Sequence, residues 1–178
     1  MRRLAVLAAL LLASSLSQLA AFEMRASASF SQGVVQSFHF IEDGTTDVRT
    51  SFSSNAFLSV LAGEDDTLLI GPRVGFIFNS RTPALERMFY SGYMQVAGGL
   101  EARIALCGPF ALGLGAMVAI GRYEDVDVTI SSLVSDIALL YVPIDRFCLA
   151  PSIQVAFNGS DVALRMQLGF SITSKDML

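Results

Sequence analysis

The sequence predicts an all-β protein: an eight-stranded antiparallel up-and-down transmembrane β-barrel after a cleaved signal peptide. Three observations carry that prediction. They are an export leader, a two-residue hydrophobic period through most of the remaining chain, and connections that alternate between tight turns and longer loops. Composition frames them. Of the 178 residues, 53% are hydrophobic and 16% charged, where a soluble domain averages ~25% charged. So much apolar surface needs lipid or an assembly to cover it.

The leader comes first. Arg2 and Arg3 form a positive n-region, and Leu4 to Leu12 is an unbroken apolar run. Small residues follow, with Ser15-Leu16-Ser17 and Leu19-Ala20-Ala21 as candidate cleavage sites. Such a segment is too short to span a bilayer stably and is read as a secretory signal. Residues 1–21 are therefore the expected signal peptide and 22–178 one barrel domain. Removing Arg2 and Arg3 lowers 12 basic residues to 10 against 16 acidic ones, so the net charge falls from −4 to −6. That balance argues against nucleic acid as a partner, and no polybasic stretch is present for anionic lipid.

The strands follow from periodicity. In Leu68 to Asn79, Ile70, Pro72, Val74, Phe76 and Phe78 alternate with Leu69, Gly71, Arg73, Gly75, Ile77 and Asn79. One face is bulky and apolar, the other small or polar with apolar exceptions. The split recurs in Tyr93 to Cys107 and Arg146 to Asn158. It is cleanest in Asp161 to Thr173, where Val162, Leu164, Met166, Leu168, Phe170 and Ile172 oppose Ala163, Arg165, Gln167, Gly169, Ser171 and Thr173. Phe110 to Gly121 and Ile130 to Val142 share the pattern less sharply. Ser51 to Leu61 reads in either of two registers. The first strand lies within Phe22 to Ile41, with a bulge expected near Gly33. Pro72 and Pro151 fall inside strands, and in a closed barrel bulges are expected to accommodate them. Ile104 to Gly121 is uncharged and long enough for a transmembrane helix, but Gly108-Pro109 at its middle makes it a hairpin.

The even strand count places both termini on one side, the periplasmic side in bacterial barrels. The second, fourth and sixth connections are Gly63 to Asp66, Cys107-Gly108-Pro109 and Pro143-Ile144-Asp145. All are tight. The first, third, fifth and seventh are Glu42 to Thr45, Ser80 to Tyr90, Tyr123 to Val128 and Asn158-Gly159-Ser160. These are more variable and include the longest, as outer loops are. Asp43-Gly44 and Asn158-Gly159 are hairpin-turn dipeptides.

The small-residue faces decide which side points inward. They carry Gly, Ala and Ser with few charges, too little for water contact. They suit the filled interior of an eight-stranded barrel. Arg25, Arg73, Glu101, Arg103, Asp136 and Arg165 are then a lumen polar network, since buried charges need partners. Glu23 is a further candidate member. Cys107 and Cys148 are expected on the lumen face near the periplasmic end, either bridged or as free thiols. No metal-ligand spacing is present. The acidic clusters Glu64-Asp65-Asp66 and Glu124 to Asp127 lack calcium-loop spacing, and no cofactor motif appears.

With signal peptide, amphipathic strands and loop asymmetry in place, the chain resembles the small outer-membrane barrels of the OmpA, OmpX and OmpW type. Leu168-Gly169-Phe170 sits in the kind of terminal strand whose aromatic residue such families present to the assembly machinery, although here the chain continues to Lys175-Asp176-Met177-Leu178. The resemblance implies a bacterial outer-membrane location, contact with outer-membrane lipid, a monomer, and a non-enzymatic structural or surface-interaction role. Surface or host ligands would meet the outer loops, notably Ser80 to Tyr90 and the Phe38-His39-Phe40 rim. The alternative is a passive channel for small or apolar solutes, as in OmpW-like barrels. Two less favoured readings are a soluble lipocalin-like binding barrel with its faces reversed and a lipid-modifying enzyme. The enzyme would rest on His39, the sole histidine, with Ser37, Glu42 and Asp43 near it in sequence.

Overall fold

The computed structural model describes residues 23–42, 44–63, 67–79, 94–122, 129–144, 146–159 and 161–174. The signal peptide, the third and fifth connections, both acidic clusters, the side chain of Glu23 and the C-terminal Lys175 to Leu178 lie outside them. The described residues form eight strands: β1 Glu23–Phe40, β2 Thr46–Gly63, β3 Leu68–Asn79, β4 Met94–Ala105, β5 Phe110–Arg122, β6 Thr129–Ile144, β7 Phe147–Asn158 and β8 Asp161–Thr173. Each pairs antiparallel with the next, and β8 closes on β1. No helix among the described residues is long and apolar enough to cross a membrane, and Ile104 to Gly121 is the β4–β5 hairpin.

The register fixes the barrel's geometry. Stepping between partners from Ala28 leads through Leu58, Val74, Gly98, Val118, Leu133, Phe157 and Val162 to Phe38. The circuit returns to β1 ten residues along. Eight strands with that stagger tilt by about 40° from the barrel axis. All these residues but Gly98 are apolar, and all point outward.

Burial settles which face is which. Leu58, Val74, Leu133, Leu168 and Ile172 are exposed, while Arg25, Ser53, Gln95, Arg165 and Ser171 are buried. The bulky faces form an outer apolar belt and the small faces line the lumen, the inverse of a soluble barrel. β2 resolves the same way: Leu58 is 62% exposed and Leu61 0%. Its register was ambiguous because the inward positions include Phe57 and Leu61. At the end of the barrel where the chain enters and leaves, Phe110 packs near Tyr141, and Phe147 stacks on Phe170. Aromatic rings at such a level mark a membrane–water boundary.

Three local expectations need correction. β1 runs past Gly33 without a register change on either side. The prolines are not housed in bulges either. At Pro72 the β2–β3 ladder omits pairs between Ser59↔Arg73 and Ala62↔Ile70. At Pro151 the β6–β7 ladder omits pairs between Ala138↔Ser152 and Tyr141↔Leu149. The register is the same on both sides of each gap, so each proline, lacking an N–H, removes pairing on one side only. The bulge lies instead between Tyr141 and Ile144, which draws Pro143 and Ile144 into β6 and shortens the sixth turn.

Candidate functional site

The lumen is layered. Toward the end distal to the termini, Val35, Phe57, Ile77, Ala97, Met117, Ala119, Val134, Ala156 and Ala163 form one buried apolar cluster. Every strand contributes to this level, with Asn55 and Gln154 completing the ring. None of these side chains exceeds 4% exposure. A water-filled path would wet some of them. Toward the terminal end, Ala111, Leu140 and Cys148 form a second apolar cluster.

A charge network lies between. Arg73 on β3 donates from Nη1 to Asp136 Oδ2 on β6 at 2.7 Å. Its Nε lies 3.6 Å from Glu101 Oε2, and its guanidinium caps the Phe57 ring at 3.9 Å. Arg103 donates from Nε to Glu101 Oε1 at 2.6 Å and from Nη2 to Ser27 Oγ at 2.7 Å. Ser59 Oγ donates to Glu101 Oε2 at 2.5 Å. Gly115 leaves the room this cluster needs. A Cβ there would lie 2.0 Å from Asp136 Oδ1 and 2.9 Å from Arg73 Nη1. The cluster borders a lumen cavity of about 60 Å³, lined also by Ser29, Ser31, Ser152 and Ser171.

Four of the six charged candidates from the sequence thus meet: Arg73, Glu101, Arg103 and Asp136. Arg165 lies in a neighbouring amide network. Its Nη1 donates to Gln154 Oε1 at 3.2 Å, and Asn55 Nδ2 donates to Gln167 Oε1 at 2.8 Å. Arg25 is buried one inward step from Ser27 toward the terminal end. Sequence reasoning missed Ser27 and Ser59, which face each other across β1 and β2. It also missed the amides Asn55, Gln154 and Gln167. Their signal was a polar residue on the inward face at matching register.

Cys107 is exposed and not on the lumen wall; Cys148 is buried, and both thiols are free. The reason is that β4 ends at Ala105 and the chain leaves the ladder. Leu106 N and Phe110 N donate to Phe110 O and Cys107 O, closing a tight loop in which Cys107 sits.

At the distal rim His39 Nδ1 donates to Asp161 Oδ1 at 2.5 Å. These residues face each other across the β1–β8 seam, where the barrel closes. The partner so placed is Asp161, a residue far from His39 in sequence, while Asp43 lies outside the described residues. Beyond the apolar belt, Arg49 Nε donates to Asp47 Oδ2 at 2.7 Å. That hydrogen bond holds the Asp47 carboxyl below its ordinary range. No cluster of metal-ligating side chains occurs among the described residues.

No family model matches the chain, and no curated protein does. Solved structures do. Neisserial surface protein A matches at TM-score 0.54 and 12% identity, over 85% of this chain and 97% of that one. The Yersinia pestis outer membrane protein Ail, determined in a phospholipid bilayer nanodisc, matches at TM-score 0.50 and 12% identity, over 83% and 99%. At such identity the likeness is one of fold. That fold is the small eight-stranded outer-membrane β-barrel.

Proposed function

We propose that this protein is a non-enzymatic outer-membrane barrel that acts through its distal, cell-surface end. The sealed lumen carries the reading. Every strand buries side chains at the distal layer, so the interior serves to hold the barrel and not to pass solute. What remains available for recognition is the rim. There Ser53 pairs with Asn79, the last described residue of β3, and β2 continues to Thr46 in pairing with β1. At this end Phe40, Ile41 and Val48 are exposed. The His39–Asp161 pair acts here as a clasp on the seam. The shared fold of Neisserial surface protein A, a surface protein by name, accords with the reading.

Two measurements test it. An epitope inserted at Gly44 should be detected on intact cells; detection only after permeabilisation would invert the topology. Binding of whole cells to host-cell monolayers should weaken with Phe40→Ser and Val48→Ser while barrel mobility on gels is kept. The passive-channel reading gives a different result: stepwise conductance in planar bilayers. A closed trace is expected, and ohmic steps would replace the surface role with a conduit.

A further inference from the structure

The outward wall of β1 and β2 differs from the rest of the belt. Elsewhere outward positions are mostly Leu, Ile, Val, Phe and Met. Here they include Ala26, Ala28, Ala56, Ser54 and Gln32. Gln32 is exposed and is the fifth of nine outward positions on β1, between Phe30 and Val34. It faces Ser54 on β2 and Leu168 on β8. Neither the Gln32 amide nor the Ser54 hydroxyl has a hydrogen-bond partner among the described residues. An amide offers two donors and an acceptor, and hydrocarbon answers none of them. Beside Gln32 the wall is hollowed into a shallow groove of about 750 Å³, running from Val34 and Met166 past Ile153 and Pro151 to Leu139.

We propose that this wall is the contact surface for a second copy of the chain within the bilayer. Hydrogen-bond complementarity selects that occupant. A two-fold axis along the membrane normal brings equal heights of the two walls together. Each Gln32 amide then meets the partner's Gln32, which supplies both donor and acceptor. The alanines let the walls approach closely, as small residues do between membrane segments. Leu58 and Phe30 form the ridge that faces the other copy's groove. A lipid chain fills the groove equally well but leaves both amides unanswered.

Cys107 is exposed and Cys148 buried, so donor and acceptor dyes couple at Cys107 in the folded protein. Energy transfer is then measured in phosphatidylcholine vesicles as the protein-to-lipid ratio is lowered. The native chain should exceed the random-encounter level. Gln32→Leu should weaken association about tenfold, the loss of two symmetry-related amide bonds of the strength found in membranes. Ala56→Phe should abolish association by holding the walls apart. Both variants should keep the heat-modifiable mobility of the folded barrel. In dilute vesicles Gln32→Leu should also resist urea better than the native chain, because the monomer no longer exposes an amide to lipid. Random-encounter transfer by the native chain at every ratio would overturn the proposal. So would transfer unchanged by both substitutions, or a Gln32→Leu barrel less stable when dilute.

Discussion

Replacing Glu101 by Gln tests whether the lumen charges stabilise the barrel. Glu101 is 7% exposed. Its Oε1 accepts from Arg103 at 2.6 Å, and its Oε2 accepts from Ser59 at 2.5 Å with Arg73 Nε 3.6 Å away. Gln keeps the volume, removes the charge, and turns one acceptor into a donor aimed at a guanidinium or a hydroxyl. Arg73 keeps Asp136 at 2.7 Å, and Arg103 keeps Ser27 at 2.7 Å. The loss falls on the contacts Glu101 makes with Arg103 and Ser59 and on its approach to Arg73. Removing one partner of a buried pair costs about 3–5 kcal/mol, and the surviving Arg73–Asp136 pair places this case at about 3–4. With an m-value of roughly 2–3 kcal/mol per molar urea, the midpoint should fall by about 1–2 M. The assay is gel mobility without boiling, after urea equilibration in vesicles from both folded and unfolded protein. Asp136→Asn is the control. It leaves Arg73 near Glu101 and against Phe57, so its loss should be smaller, about 1–3 kcal/mol. A Glu101→Gln midpoint within about 0.3 M of the native one, or a larger loss for Asp136→Asn, would refute the reasoning.

Further outcomes follow from the same geometry. In the folded barrel a maleimide should add once, at Cys107, and a second time only after unfolding exposes Cys148; mass spectrometry reads the count. Gly115→Ala should cost about 1–3 kcal/mol through overpacking, because its Cβ would displace the Asp136 carboxylate. That cost should shrink in an Asp136→Ala background, which a double-mutant cycle measures. Gly159 holds φ 57° with open space around it. Gly159→Ala should therefore cost about 1–2 kcal/mol of backbone strain alone, and Gly159→Asn should recover most of it in the same urea assay.

Much of the fold was legible because a strand's two-residue period sorts side chains without reference to any partner. β3 and β8 carry the same bounds in sequence and structure, and the faces of β8 are the least mixed. β2 was not legible in this way. Its outward Leu58 and inward Leu61 are chemically alike, so only pairing with β1 and β3 assigns them. The prolines misled for a related reason. Their missing N–H predicts a defect, but nothing local tells a bulge from a pairing gap at constant register. Cys107 misled because alternation was carried two residues past the point where Gly108-Pro109 draws the chain out of the ladder. For the site, the charged members were legible as residue types on one face. Which of them meet depends on the stagger around the barrel, which no single strand encodes.

The apolar exceptions on the inward faces show why that stagger matters. Read strand by strand, Val35, Phe57, Ile77, Met117 and Val134 look like separate faults in an otherwise small or polar pattern. Around the closed barrel they become one cluster at one level. The apolar layer lies distal to the charge network, and Leu140, Ala111 and Cys148 form a smaller apolar patch on β5 to β7 toward the other end. Arg73, Glu101, Arg103 and Asp136 are largely buried in this lumen, and each contact among them is strengthened by the low local dielectric. The same burial makes any unbalanced charge there expensive. Gly115 admits the Arg73–Asp136 pair, and Ser27 and Ser59 occupy the remaining hydrogen-bonding positions. A lumen built on those terms has little latitude to open. That leaves the rim for the proposed recognition and, among the described residues, the stretch of outer wall around Gln32 for the proposed lateral contact.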